Sequence, residues 1–383
     1  MEKWRNGATH HLCTRLHKVG VAAVYPTIKD VAKRAGVSPS TVSRVIADHP
    51  RISRATKERV RAAMRELNYQ PNAAARSLVR RRTQTIGVAL SRSTEAALAN
   101  PFFPEVLRGI GAAARLARYF LTLTTATSYD EERQQCMELL TQRRVDGLIV
   151  LASHTDDPLI DWLDERGHPF VVLGRVPGRD VPHVNNDNVA AAREATQHLL
   201  ELGHRRIAFV GGPLDFIVTL DRLEGYKQAL QEAGLAVDPR LVVTTDFSYE
   251  QAYEAARRLL TDSSLAGAPG KGAGGVSGRP TAFVAIDDGV ALGVLAAAKS
   301  LGLRVPEQVS VVGFNDSPVC PHVAPPLTSV FIPVFDMGFA AAQMLCDILA
   351  GKRGSRAVSL ATRLVVRQST APLRGALGVV GAH

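Results

Sequence analysis

The chain has 383 residues, a net charge of +10, 46% hydrophobic residues and four cysteines, a length that calls for two or three domains with substantial cores. No run of about 18 apolar residues is available to cross a bilayer, and no charged-then-apolar leader opens the sequence, so a cytoplasmic protein without a membrane partner is expected. Residues 1–82 hold 18 Lys and Arg against 5 Asp and Glu, whereas the remainder holds 28 against 31. That asymmetry points to a phosphate-binding module at one end of the chain, and no long amphipathic stretch offers a membrane surface instead.

Residues 1–24 show no periodicity and are expected to be a disordered arm or to precede the natural start; translation from Val24 would put Val-Tyr-Pro directly before the first helix. Cys13, Cys136, Cys320 and Cys346 never form a CxxC, which argues against a disulfide framework or a structural zinc. His10, His11, Cys13 and His17 lack a second half at ligand spacing, so no metal or other cofactor is expected.

Residues 25–70 carry the most informative pattern. Thr27 can cap a helix with Asp30 three residues on, and Ile28, Val31, Ala32 and Ala35 fall at i, i+3, i+4 and i+7. Gly36 stops that helix, and Ser38-Pro39 opens a second as N-cap and first residue. Two short helices joined by a Gly-containing turn are a helix-turn-helix, whose second helix lies in the major groove of DNA. Val42, Val45 and Ile46 can face inward, which leaves Ser40, Thr41, Ser43 and Arg44 outward. Ser53 then caps a third helix with Val60, Met64 and Leu67 inside and Arg54, Lys57, Arg59, Arg61 and Arg65 outside, enough to close a three-helix core. Residues 71–82 form a linker in which Asn72 can cap a helix over 73–79 too short to be stable alone, so it is expected to order on contact with a partner.

From residue 83 to 373 short apolar runs alternate with amphipathic helices. Strands are predicted over 86–90, 120–124, 147–151, 170–173, 206–210, 241–245, 282–286 and 309–314 and near 364–366. Helices are predicted over 104–118, 130–143, 157–166, 189–202, 221–233, 249–260, 290–301 and 335–349. Repeated βα units with apolar strands imply parallel sheets flanked by helices, and so many units divide more naturally between two lobes than within one sheet. Residues 261–280 are Gly-rich without phosphate-loop order and read as a surface insert; 374–383 read as a flexible tail.

Several stretches together resemble the lactose/galactose-repressor (LacI/GalR) family over about residues 26–370. They are the opening helix pair, Leu67-Asn68-Tyr69-Gln70-Pro71-Asn72-Ala73-Ala74-Ala75-Arg76, Asn100-Pro101-Phe102-Phe103, Arg144-Val145-Asp146-Gly147-Leu148-Ile149, Leu202-Gly203-His204-Arg205-Arg206-Ile207-Ala208 and Val311-Val312-Gly313-Phe314-Asn315-Asp316. Asn185-Asn186-Asp187-Asn188 and the run 215–226 look most like the maltose-type repressors of Gram-positive bacteria. The resemblance implies an all-α headpiece, a hinge helix and an α/β two-lobed core of periplasmic-binding-protein type that dimerises. It further implies a repressor of carbohydrate-utilisation genes that binds a pseudo-palindromic double-stranded DNA operator and answers to a small sugar, of maltose or maltodextrin type.

By position, Pro39, Ser40 and Arg44 match the family's base-reading places, and Arg44 can meet guanine O6 and N7 together. Leu78 matches a hinge leucine that wedges into the minor groove, with Ala75 one turn before it. The expected DNA-contact set is thus Thr27, Ser38, Pro39, Ser40, Thr41, Ser43, Arg44, Asn72, Ala75 and Leu78.

For the effector, Arg222 is a fixed donor fork, Asp287 and Asn315 can accept from hydroxyl pairs, and Phe102, Phe103, Phe216 and Phe247 offer faces to sugar rings. Val218 and Ile332 are apolar where the lactose type is polar, and Asp287 stands where asparagine is commoner, which suits a larger glucoside. The absence of GxSxG, HExxH and dinucleotide GxGxxG argues against an enzyme. The rival functions are a cytoplasmic sugar-binding protein without specific DNA binding and a carbohydrate-active enzyme, for which the Asp287-Asp288 pair is the feature to watch.

Overall fold

The computed structural model describes residues 26–70, 82–152, 154–265, 278–352 and 354–373, and the chain divides into two units at Arg81 and Arg82. The expected arm, the linker residues Asn72, Ala75 and Leu78, most of the Gly-rich insert and the tail lie outside the described residues.

The first unit is three helices: α1 (Ile28–Ala35), α2 (Pro39–Ile46) and α3 (Arg54–Glu66). At the start of α1 the Asp30 carboxylate accepts from the Thr27 backbone N–H at 2.8 Å and its hydroxyl at 2.7 Å, so the first turn is closed from both ends. Gly36 ends α1 at φ 64°, left-handed backbone that a side chain would strain. Ser38 Oγ then accepts from Thr41 N and Pro39 fills the first helical place of α2. Val31, Ala32, Ala35, Val42, Val45, Val60 and Ala63 form the buried core of the three helices, as the 3.6-residue periodicity requires.

The second unit contains two six-stranded sheets. In the first, β1 (Thr85–Ala89), β2 (Phe120–Leu123), β3 (Gly147–Val150), β4 (Phe170–Leu173), β5 (His183–Asn186) and β11 (Ala357–Leu360) lie in the order β2-β1-β3-β4-β5-β11, all parallel. In the second, β6 (Ile207–Gly211), β7 (Val242–Thr244), β8 (Ala282–Ala285), β9 (Ser310–Asn315), β10 (Thr328–Phe331) and β12 (Arg363–Val365) lie in the order β7-β6-β8-β9-β10-β12. Only β12 runs against its neighbour, β10, a departure from the purely parallel sheets expected.

Helices cover both faces of each sheet. The first lobe has α4 (Thr94–Ala99), α5 (Phe102–Leu116), α6 (Tyr129–Thr141), α7 (Pro158–Glu165) and the late helix α12 (Val334–Leu349). The second has α8 (Asn188–Glu201), α9 (Ile217–Glu232), α10 (Tyr249–Thr261) and α11 (Asp288–Ser300). Alternation within a strand decides which helices it meets: on β3, Leu148 and Val150 pack with residues of α6 and α7, and Ile149 joins the cluster that holds Val106 and Ile110 of α5. Where α5 crosses α12 the backbones touch, and a Cβ on Gly109 would sit 2.1 Å from Phe335 O and one on Gly338 2.3 Å from Val106 O. Only glycine permits that approach.

Among the described residues the chain passes between the lobes three times: from β5 to α8, from β10 to α12 and from β11 to β12. Three strands, over 183–186, 328–331 and 357–360, were not expected from the apolar runs. Each is short and interrupted by polar residues: Thr328 and Ser329 are fully buried yet satisfied by bonds to Ser369, Thr370 and Asp288. Helix α4 was also unexpected, and α9 begins at Ile217 rather than 221 because Asp221 is not a helix start but an ion-pair partner of Arg175.

Candidate functional site

In the first unit, α2 is the surface element whose chemistry suits DNA. Ser38, Pro39, Ser40 and Arg44 are exposed and Thr41 and Ser43 half-exposed, while Val42 and Val45 are buried. The Ser38 hydroxyl lies 2.8 Å from that of Ser40 and 2.9 Å from that of Thr41, which fixes their rotamers at the head of the helix. Elsewhere in the unit basic side chains are braced by acids, with Arg34 on Glu66 at 2.5 Å and Lys57 and Arg61 both on Asp48. Thr27 is exposed at the start of α1.

In the second unit a cleft opens between the lobes at the carboxyl ends of β1, β3, β4, β6, β8 and β9, the usual place for ligands in open α/β sheets. The space, open mouth included, is about 760 Å³. Phe102, Phe103, Arg222, Phe247, Asp287 and Asn315 line it, and so do Val218 and Ile332. Phe216 does not. Its ring is buried 4.3 Å from the ring of His154 and 5.4 Å from that of Phe247, because it precedes α9 on a segment that pairs with residue 154 of the other lobe.

The charges in the cleft are deeply placed and mostly held. Arg222 is 5% exposed; its Nε donates to Asn188 Oδ1 at 3.1 Å and a terminal nitrogen to Ile286 O. Burial lowers its pKa to about 10, against the pull of Asp287, Asp288 and Asp221, so it stays a cation. Asp287 caps α11 by accepting from Val290 N at 2.8 Å and accepts from Asn100 Nδ2 of the opposite lobe at 2.9 Å. Burial raises its pKa, offset by those bonds and by Arg222 and Arg92. Asp288 accepts from Ser317 N at 2.7 Å and the Ser329 hydroxyl at 2.6 Å, with its pKa pushed by burial up to about 6. Both carboxylates of the pair weighed for catalysis are therefore engaged in holding the fold.

Further ties cross the cleft. Arg175 is paired through two nitrogens with the buried Asp221, and His154 lies 3.3 Å from Asp215. Three loops at the cleft hold non-glycine residues in left-handed backbone: Ser91 (φ 60°), Phe247 (φ 68°) and Asn315 (φ 99°). Such strain persists only where the surroundings impose it, and it gathers at binding sites.

Sequence reasoning missed Arg92, Asn100, Arg175, Asn186, Asn188 and Asp221, all of which line the cleft. Asn100 sits in a motif already singled out, and Asn186 and Asn188 in another; Arg92 and Arg175 follow strand ends with no pattern to mark them. Among the described residues no group of His, Cys, Asp and Glu could hold a metal ion, and no helix is long and apolar enough to cross a membrane.

A small-molecule cleft carried on the same chain as a helix-turn-helix defines a ligand-responsive DNA-binding regulator. Comparison with known proteins sharpens this. Residues 27–72 match the family described as bacterial regulatory proteins, lacI family, and residues 196–370 match the periplasmic binding protein-like domain. The chain is 40% identical over 348 residues to the HTH-type transcriptional regulator CelR of Thermobifida fusca, covering 90% of this chain and 98% of CelR. It is 46% identical over 235 residues to MalR of Streptococcus pneumoniae, covering 61% of this chain and 72% of MalR. Of solved structures, the CelR–cellobiose complex superposes with a TM-score of 0.67 at 38% identity, covering 90% of this chain and 99% of that one. The lac repressor dimer bound to operator and an anti-inducer gives 0.77 at 28% identity with the same coverage. The chain belongs to the LacI family of bacterial transcriptional regulators.

Proposed function

We propose that this regulator binds a neutral glucose disaccharide in the inter-lobe cleft and that the bound sugar controls its affinity, as a homodimer, for a pseudo-palindromic operator. The observation that carries the reading is the chemistry of the cleft: buried carboxylates, asparagines and arginines beside phenylalanine rings. Polar groups with fixed orientation recognise hydroxyls, and aromatic faces cover the apolar faces of the rings. Relatives support the class of effector: CelR was solved with cellobiose, and a staphylococcal structure at 26% identity and a TM-score of 0.66 is described as a probable maltose operon transcriptional repressor. Maltose or a maltodextrin was expected from sequence, and cellobiose now stands beside it.

On DNA, Arg44 is the reader of guanine, Ser40, Thr41 and Ser43 supply shorter hydrogen bonds, and Thr27, Ser38 and Pro39 complete the contact surface. Asn72, Ala75 and Leu78 remain assigned by resemblance alone to the hinge that meets the minor groove. The protein acts in the cytoplasm, where its DNA is, and by linkage rather than catalysis: a ligand shifts operator affinity only by the difference in its own affinity for the two lobe arrangements. Calorimetric titration of the full chain with cellobiose, maltose, maltotriose, lactose and ribose, followed by operator binding with and without each sugar, tests this. The expected result is binding of at least one glucose disaccharide coupled to a change in operator affinity of about 5–150-fold. Binding of none of the panel, or binding with no effect on DNA, overturns the reading.

A further inference from the structure

Among the residues that line the cleft, Arg92 is the one with a buried side-chain polar atom that lacks a hydrogen-bond partner. Arg92 follows the end of β1, where the chain turns through left-handed Ser91. Its loop is fixed from behind: the buried Glu132 carboxylate accepts from Leu90 N and from Ser91 N, each at 2.6 Å, and from the Thr124 hydroxyl at 2.6 Å. The side chain then enters a cage of three rings. Its guanidinium carbon is 4.4 Å from the ring centre of Phe247, 5.0 Å from that of Phe103 and 5.2 Å from that of Phe216. Two of those rings belong to the second lobe and one to the first. The side chain is half-buried and lines the cleft, and its Nε is itself buried with no acceptor among the described residues.

Ring faces hold a guanidinium by attraction to its charge, but they accept no hydrogen bond in its plane. A buried donor left unpaired keeps the whole cost of its desolvation, and natural folds tolerate it where something else supplies the acceptor. Burial lowers the pKa of Arg92 to about 10, opposed by Asp287, so it is a cation at neutral pH. The charges around it nonetheless balance: Arg92, Arg175 and Arg222 face Asp221, Asp287 and the Asp288 behind it.

We infer that Arg92 is a specificity-determining donor for the effector, held by its phenylalanine cage so that its in-plane N–H groups meet hydroxyl or acetal oxygens of a neutral disaccharide. The inference rests on the sugar reading above and deepens it in three ways. It names a residue, it names the acceptor chemistry, and it excludes an acidic sugar, because an added anion would upset the charge balance. It also reassigns the phenylalanines. Phe103, Phe216 and Phe247 each turn toward the guanidinium, so that Phe102 is the one ring of the four that does not hold Arg92. Because the cage draws on both lobes, sugar bound to Arg92 favours the closed arrangement.

The test is calorimetry on the full chain and its Arg92→Met and Arg92→Lys variants, titrated with cellobiose, maltose and the anionic analogues cellobionate and maltobionate. Melting of each protein without ligand is measured alongside. Arg92→Met is expected to weaken the preferred neutral disaccharide at least tenfold while the melting temperature of the free protein moves by no more than about 3 °C. Arg92→Lys, a point charge without the planar fork, is expected to restore little of the loss. Sugar binding within twofold of the unmodified protein in Arg92→Met overturns the assignment. So does a fall in melting temperature of more than about 8 °C with both variants, which would mark a structural arginine. Tighter binding of an aldonate than of its parent sugar overturns the neutral class. Failure of the unmodified protein to bind any of these compounds overturns the sugar reading itself.

Discussion

The headpiece and the cleft handle charge in opposite ways. On α2 and around it most basic groups are exposed, paired with Asp48 or Glu66 or left to solvent, with Lys57 half-buried. In the cleft, Arg222, Asp221, Asp287 and Asp288 are nearly inaccessible and each is locked into directed bonds. A surface that must find a polyanion and let go of it gains from long-range attraction that salt can screen. A site that must tell one small effector from another needs groups whose orientation is set before the ligand arrives.

This contrast makes a ranked set of expectations. The largest effect belongs to Arg222→Met. It strips donors from Asn188 and Ile286 O and leaves the buried carboxylates uncompensated, a loss of about 3–5 kcal/mol in unfolding free energy, together with loss of effector binding. Chemical denaturation checks the first and calorimetry the second; a stable variant that still binds sugar would erase the distinction between the two regions. Arg44→Ala comes next. It should cost roughly 1–3 kcal/mol of operator affinity per half-site, measured by fluorescence anisotropy, with no change in melting temperature beyond about 1 °C. Raising salt should weaken the unmodified protein on operator and random duplex alike, yet leave sugar affinity unmoved.

The smallest effect concerns pH. His204 is buried, with its ring nitrogens 3.0 Å from the Thr281 and Ser310 hydroxyls, and burial pulls its pKa down to about 4. The unfolded chain takes up a proton there below about pH 6.5. The contribution of His204 is therefore complete above that pH and is lost as pH falls toward 4. Asp288 works the other way, since its raised pKa makes the fold the tighter proton binder between about 6 and 3.8. Melting curves of His204→Asn against the unmodified protein separate the two: the gap should narrow between pH 6.5 and 4.5, and a constant gap would show that His204 does not titrate in this way.

What could be read in advance differed between the same two regions. The headpiece was legible because its periodicity, cap and turn signals are local: Thr27 and Asp30, Gly36, and Ser38-Pro39 each act within one turn of helix. The alternation of strands and helices gave the two-lobed core, but β10 escaped because Thr328 and Ser329 are polar residues buried by partners far along the chain. Arg222, Asp287 and Asn315 were legible through the motifs that surround them. Arg92 was not, since nothing in Leu90-Ser91-Arg92-Ser93 announces a site; its meaning comes from phenylalanines contributed by three distant segments. Phe216 was misplaced for a related reason: an aromatic beside a site looks the same in sequence whether it faces ligand or supports a neighbour.

The passage of the chain between the lobes, three times among the described residues, has a genetic consequence. Neither lobe is a continuous piece of sequence: the first cannot be completed until α12 and β11 are made, after the second is almost finished. A messenger cut short anywhere before residue 334 yields a reading head attached to a sensor with no closed first lobe. Halves expressed separately at that boundary should therefore fail to rebuild the sensor unless the late helix returns to its place against Gly109.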